Sequence, residues 1–398
     1  MSPLVILEPP RPRLTPNVPG WRPFFSMGFR PLYLLAAIYG ACAILAWVLG
    51  GVGGGRLGGF YWHAHEMIWG FTGAIIVGFL LTAVANWTGE PPIQGAVLAG
   101  LVGLWLGARI LATASLGSPV LVCLVSQAFY LAAAIAVAKP ILRTKNRRNV
   151  GVPVLLVTFG LTEVGFFLAI SGTVPVDPRR FLHVGLTMVA TIIFFVGLRV
   201  IPFFTHRALG VPQVGHGRWV LGLALGGPLI LGACIAGGVD GLVPVIAGLV
   251  GMGVNIHRLM SWWRPQAVRL PLLWILYVGY GFTALGLGAV GLAVGYLPWL
   301  LSAAVHGVAV GGIGILTLGM MTRTALGHTG RRLELPRPMV TAYWLMISAA
   351  GLRLVAVPAS GLAHYSLVAS GLCFSLALAL FVWRYGPWLV RTREDGLP

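Results

Sequence analysis

The stretch YWHAHEMIWGFTGAIIVGFLLTAVA (Tyr61–Ala85) carries two histidines and one carboxylate in its first six residues and no charge after Glu66. A membrane-crossing helix needs roughly 20 predominantly apolar residues, so the run reads as one span with His63, His65 and Glu66 at its mouth. Imidazole and carboxylate groups are costly in hydrocarbon, which makes such a cluster a functional-site candidate by default.

The same pattern repeats outward along the chain. Of 398 residues, 58% are hydrophobic and only 9% charged, against about 25% charged in soluble domains. That composition excludes a soluble globule. The apolar runs are continuous and do not alternate, which excludes a β-barrel. The fold class is all-α: a polytopic membrane protein in a lipid bilayer, with spans expected at 31–50, 61–85, 95–114, 119–139, 151–172, 181–202, 219–238, 241–261, 271–294, 298–321, 339–357 and 363–383. The weakest boundary is Gly237-Gly238-Val239-Asp240, where a re-entrant pair is the alternative. The domain reading is an N-terminal arm over 1–30, one transmembrane domain over 31–385 and a short cytoplasmic tail over 386–398. The arm is rich in Pro and Arg, does not read as a cleavable signal, and is expected to be non-helical or surface-lying.

Twelve spans put both termini on one side. The 27 basic residues then sort 22 to 5, with only Arg56, Arg109, Arg179, Arg180 and Arg353 on the other side. The positive-inside rule places both termini in the cytoplasm. The net charge of +18 therefore reads as topology. It forms no basic stripe with interleaved aromatics, so no nucleic-acid partner is expected. Cys42, Cys123, Cys234 and Cys373 each fall alone in a different apolar segment and read as small core residues; no CxxC or CxxCH occurs, so covalent haem is not indicated. Close-spaced glycines such as Gly307, Gly311, Gly312 and Gly314 suit helix packing, and they also leave room for a flat cofactor.

Five histidines fall near the outer face. His63 and His65 open span two, His183 opens span six, His306 lies about two turns into span ten, and His364 opens span twelve. Spans two, six and ten are four apart, which suggests a four-span repeat. The ends Phe203–Gly210 and Met320–Gly327 also look alike. On a regular helix, residues i and i+2 project roughly 200° apart, so His63 and His65 face different neighbours; His63 shares a face with Glu66 and Met67, and His65 with Trp69. Neutral imidazole suits haem iron and copper, and a thioether suits copper(I). The plainer alternatives are an interfacial His63/His65 pair bonded to loop backbone and a satisfied core histidine at His306. His206, His216 and His328 read as solvated loop residues, and His257 beside Arg258 as a snorkelling pair. Glu163 and Arg109 are expected to pair with each other or with backbone. Arg199 and Arg323 either hold carboxylates or propionates or meet lipid headgroups. Asn86-Trp87-Thr88 matches a glycosylation sequon on the cytoplasmic side and is treated as chance.

Several motifs resemble the NnrS family: Phe29-Arg30-Pro31-Leu32-Tyr33-Leu34-Leu35, Trp62-His63-Ala64-His65-Glu66-Met67, Gly78–Gly89, Arg199-Val200-Ile201-Pro202-Phe203-Phe204-Thr205, Pro271-Leu272-Leu273-Trp274 and Met321–Arg331. They span most of the chain in the family's order. The resemblance implies a bacterial inner-membrane protein containing haem, b-type and non-covalent, and copper, tied to nitric oxide response and tolerance. On that reading His63, His65 and His306 are the favoured haem ligands, His183 or His364 serves copper or a second haem, and Glu66 is a carboxylate that fixes an imidazole tautomer. The family pattern often carries a histidine after Pro-Leu-Leu-Trp; here the place is Tyr277. The layout is also similar to the catalytic subunit of haem-copper oxidases, but span ten has one histidine and the chain has no His-His pair, which argues against an oxygen-reducing site of that plan.

Two rival functions stand beside this one. A twelve-helix secondary transporter fits the span count and the abundant glycine, but the second-to-third loop carries Glu90 without the basic signature of major-facilitator proteins. A haem-dependent membrane sensor or scaffold is the non-catalytic alternative, since no acid–base pair with a defined substrate is visible; the enzymatic reading is a haem-dependent oxidoreductase acting on nitric oxide.

Overall fold

The computed structural model describes residues 19–51, 57–114, 116, 118–356 and 362–395. Most of the expected arm, together with Arg11, Arg13, Arg56 and residue 357, lies outside them. Twelve helices long and apolar enough to cross a membrane follow one another: α1 (Phe29–Val48), α2 (Gly59–Thr88), α3 (Gly95–Thr113), α4 (Pro119–Arg143), α5 (Arg147–Ile170), α6 (Pro178–Leu209), α7 (Arg218–Gly237), α8 (Leu242–Trp262), α9 (Pro271–Gly295), α10 (Pro298–His328), α11 (Arg337–Val355) and α12 (Ala363–Leu389). Their starts are written in the sequence. Pro119, Pro178, Pro271 and Pro298 open helices, where a missing N–H costs nothing. Ser118 and Asp177 cap two of them by accepting from Leu121 N–H and Arg179 N–H. Gly89, Gly210 and Gly238 close three in the left-handed conformation.

The chain's two ends meet on one face. Gly20 N–H donates to the Val390 carbonyl at 3.0 Å, and the buried Arg30 Nη1 donates to the carbonyls of Leu389 and Arg391 at 3.1 and 2.5 Å. Helix α1 thus begins slightly before the expected boundary, with Arg30 inside it, and α12 runs through Leu389, past the expected one. This side is called the terminal face below.

Neighbouring helices pack side by side, and α12 returns against α1 to close the bundle. The interior belongs to α2, α6, α9 and α10, whose apolar windows are 78, 72, 67 and 50% buried, against 33–44% for the rest. Helices α2, α6 and α10 are also the longest, at 30, 32 and 31 residues. At 1.5 Å per residue each spans about 45 Å, beyond the roughly 30 Å of hydrocarbon. The look-alike ends are therefore helical over Phe203–Leu209 and Met320–Gly327, with Gly210 as the left-handed cap of α6. His206 and His328 sit on the ends of α6 and α10, not in loops. His206 Nδ1 lies 2.6 Å from the Val211 carbonyl, and the His328 ring packs on Phe29.

Helices α2 and α10 share an irregularity. Directly after His65 and His306 the backbone widens into π-helical turns, Glu66–Thr72 and Gly307–Gly314. Such turns concentrate at functional sites. In α2, side chains from neighbouring helices bond the widened turn: Trp105 Nε1–H donates to Gly70 O at 2.9 Å and Tyr130 O–H to Trp69 O at 2.6 Å. In α10, Gly311 and Gly312 lie against Phe282 and Thr283 of α9, so these glycines serve helix packing.

Helices α7 and α8 are separate spans of 20 and 21 residues, not a re-entrant pair. Gly238 turns the chain at φ 68°. Close backbone approach continues from α8 to α9, where a Cβ on Gly248 would sit 2.8 Å from Gly291 Cα and 3.1 Å from Leu287 O. Backbone on both sides gives no room for a flexible end to move aside. Gly248→Val is expected to cost about 1–3 kcal/mol by overpacking, whereas Gly253→Ala, with nothing within 4 Å, is tolerated. Thermal unfolding of the two detergent-solubilised variants checks this; equal midpoints would remove the packing assignment. Of the cysteines only Cys234 is buried, and Cys42 is exposed, because its face of α1 points outward from the bundle.

Candidate functional site

On the face opposite the termini, α1, α2, α6, α10, α11 and α12 enclose a cavity of about 340 Å³. His63, His183 and His306 all line it, together with Met67 and Arg353. Each imidazole is set by local structure. His63 lies flat on Trp47 of α1, with ring centroids 4.9 Å apart and planes 8° apart. His183 stands in the second turn of α6, whose start is pinned by the Asp177 cap. His306 Nδ1 is 2.7 Å from the Ser302 carbonyl one turn back. The Nδ1–H donates there, which leaves the Nε2 lone pair available to a ligand. Arg353 Nη2 donates to Ser302 Oγ at 3.3 Å and lies within electrostatic reach of His63 and His306. Among the described residues no three His, Cys, Asp or Glu side chains close on one point. The three imidazoles instead share the wall of one cavity.

His65 goes elsewhere. It is fully buried, with Nδ1 2.8 Å from Glu66 Oε1 and Nε2 2.8 Å from Glu163 Oε1. Both ring nitrogens are thus engaged by carboxylates, and His65 does not line the cavity. Arg109 Nη1 donates to Glu66 Oε2 at 2.8 Å, and Tyr39 O–H donates to the same oxygen. Ser126 Oγ–H and Gln127 Nε2–H bond Glu163 at 2.7–2.8 Å. The expected pair of Arg109 with Glu163 is therefore corrected: Arg109 takes Glu66, Glu163 takes His65, and one chain of charges joins α2, α3 and α5, with Ser126 and Gln127 of α4 hydrogen-bonded to its end. Glu66 accordingly orients His65. The expectation that it shares the face of His63 assumed a regular helix, and the turn widens at Glu66.

The model of the family described as NnrS protein matches residues 23–393. The chain belongs to the NnrS family. No curated protein matches it.

In this NnrS-family chain the remaining candidates lie apart from the histidine cavity. His364 lines a neighbouring pocket with Arg353, Trp299 and Ser302. Arg199 and Arg323 line a cavity of about 760 Å³ near the terminal face. Arg323 follows His306 by 17 residues on α10, about 26 Å along the axis, so the arginines and the imidazoles do not converge on one group. Tyr277, three residues after the Pro-Leu-Leu-Trp run, is a structural clip: its O–H donates to the Trp262 carbonyl at 2.8 Å and Thr205 Oγ lies 2.8 Å away. Asn86 lines the terminal-face cavity, and the Trp87 carbonyl accepts from Asn146 at 2.9 Å.

Two contributors to the histidine cavity were not singled out from the sequence. Arg353 carried a signal, as one of only five basic residues assigned to the outer side. Trp47 carried none, because its contact with His63 depends on how α1 rotates against α2.

Proposed function

We propose that this NnrS-family chain is a haem-binding and copper-binding protein of the bacterial inner membrane that binds or transforms nitric oxide and contributes to nitric oxide tolerance. Both termini are cytoplasmic on this reading, by the charge asymmetry, and the metal site lies toward the periplasm. The observation that carries the proposal is the meeting of His63, His183 and His306, from α2, α6 and α10, on one cavity.

The donor set fits the groups proposed. Imidazole nitrogen suits haem iron and copper, and the Met67 thioether suits copper(I). Haem ligands fall to His306 and His63, copper to His183 with Met67, and Arg353 supplies a cation for a propionate carboxylate. His65 and Glu66 hold the π-helical turn that follows the mouth of the site. When bound, haem iron supplies the position at which nitric oxide is held.

The interior beside the site also suits a small apolar gas. Thr72 and Ile313 line both the histidine cavity and a second cavity of about 100 Å³ deeper in the bundle, walled by Ile75, Val189, Ile192 and Leu316. A solute with charge would find no partner along that wall. The test is the colour of the protein. Purified with ample haem supply, it is expected to show a haem absorbance band, iron and copper by elemental analysis, and a spectral shift under anaerobic nitric oxide. A folded, pigment-free and metal-free preparation would sink the proposal and favour the transporter reading.

A further inference from the structure

The terminal-face cavity uses none of the residues assigned to the metal site. Arg148, Arg199, Arg207 and Arg323 line it, and among the described residues no Asp or Glu does. Arg323 is only 9% exposed. Its guanidinium has no hydrogen bond or ion pair among the described residues and instead lies 3.6 Å from the centroid of the Phe204 ring. Arg199 stacks on Phe195 at 4.1 Å and spends two donors on Asn149 Oδ1 and the Arg148 carbonyl, at 2.7 and 3.1 Å. A buried cation without a counter-charge is costly, and a guanidinium left with unused donors is matched by carboxylate or phosphate oxygens.

Beyond the arginines the wall is mixed: Asn86, Asn146, Asn149 and Gln213 are polar and uncharged, and one side is apolar. Phe79, Val196, Val200 and Met320 line this cavity and also the apolar cavity in the middle of the bundle. The space therefore runs from a cationic end toward an uncharged interior. At its rim Phe203 is exposed, so the cavity reaches the protein surface.

We propose that this cavity binds an amphiphilic oxyanion, a phosphate or carboxylate head on an apolar body, with the head on Arg323 and Arg199 and the body along Phe79 and Met320. Two sources share that chemistry: an anionic membrane lipid and a soluble single-chain amphiphile.

The test is calorimetric titration of the full-length chain in an uncharged detergent with dodecyl phosphate, inorganic phosphate and dodecyl trimethylammonium. Dodecyl phosphate is expected to bind saturably at one per chain, and inorganic phosphate about 100-fold more weakly because it lacks the buried chain. The cationic amphiphile is expected not to bind. Arg323→Met and Arg199→Met should each weaken dodecyl phosphate about tenfold or more. If Arg323→Met fails to fold, Arg199→Met and the three-probe comparison still decide. Repeating the titration in phosphatidylcholine nanodiscs with and without phosphatidylglycerol separates the sources. Suppression by phosphatidylglycerol identifies a lipid occupant and persistence identifies a soluble one; either supports the site. No saturable binding, equal binding of inorganic phosphate, or affinity unchanged in both arginine variants overturns it. No metal enters the readout, so this result is separate from the outcome for the haem proposal.

Discussion

His65→Ala is expected to be the most destabilising single substitution in the histidine cluster, by about 3–5 kcal/mol, the cost of breaking a buried ion pair. The ring sits between Glu66 and Glu163, 2.8 Å from each, at zero exposure. His65 and Arg109 are the groups placed to offset the charge of the two carboxylates, and an imidazole that faces a carboxylate oxygen at each nitrogen can donate to both. Removing the ring leaves two buried carboxylates with one guanidinium, and that guanidinium is bonded to only one of them. The deficit is local to Glu163, so a second change there should repair it. His65→Ala with Glu163→Gln is expected to recover more than half of the lost stability, since Gln still accepts from Ser126 and Gln127. Thermal midpoints and monodisperse yield in detergent measure both. A single variant as stable as the parent, or a double variant no better than the single, would show that the charge chain does not hold this corner of the bundle.

His306→Ala should do the opposite. It is expected to remove more than nine-tenths of the bound haem absorbance while leaving the cofactor-free midpoint within a few degrees of the parent. The side chain faces a cavity, and its one hydrogen bond is to Ser302 in its own helix, so little packing depends on it. If haem is held as proposed, the substitution would delete a nitrogen that ligates its iron. His63→Ala is expected to behave alike, with an added small cost from the Trp47 stack. The midpoint must be compared without cofactor, because a bound group stabilises the folded state by linkage and its loss alone would lower the value. Free imidazole added to His306→Ala should restore part of the absorbance, a rescue that a merely structural histidine would not allow. Full absorbance retained in both His63→Ala and His306→Ala would remove these two as ligands.

These paired variants separate two residues that the sequence presents side by side. His63 and His65 are two positions apart in one apolar run, and helix geometry alone says that they face different neighbours. It does not say which neighbour is a cavity and which is a carboxylate. Glu163 lies 98 positions from His65, in a span that reads as plain hydrocarbon with one acidic interruption. Likewise Arg323 and Arg199 look alike as basic residues near span ends. Only the packed structure sets one on the Phe204 ring with no hydrogen bond among the described residues and gives the other an asparagine and a carbonyl.

Span number, span order, the gathering of both ends of the bundle on one face and the position of five histidines toward the opposite face were all readable from the chain. Hydropathy and charge act on each segment independently and accumulate along it, so twelve apolar runs declare themselves whatever their neighbours do. Which of those histidines share a volume was decided by tertiary structure. The azimuth of a side chain depends on helix rotation, on the π-helical turns after His65 and His306, and on contacts such as Trp47 with His63, and none of these is a property of one segment alone.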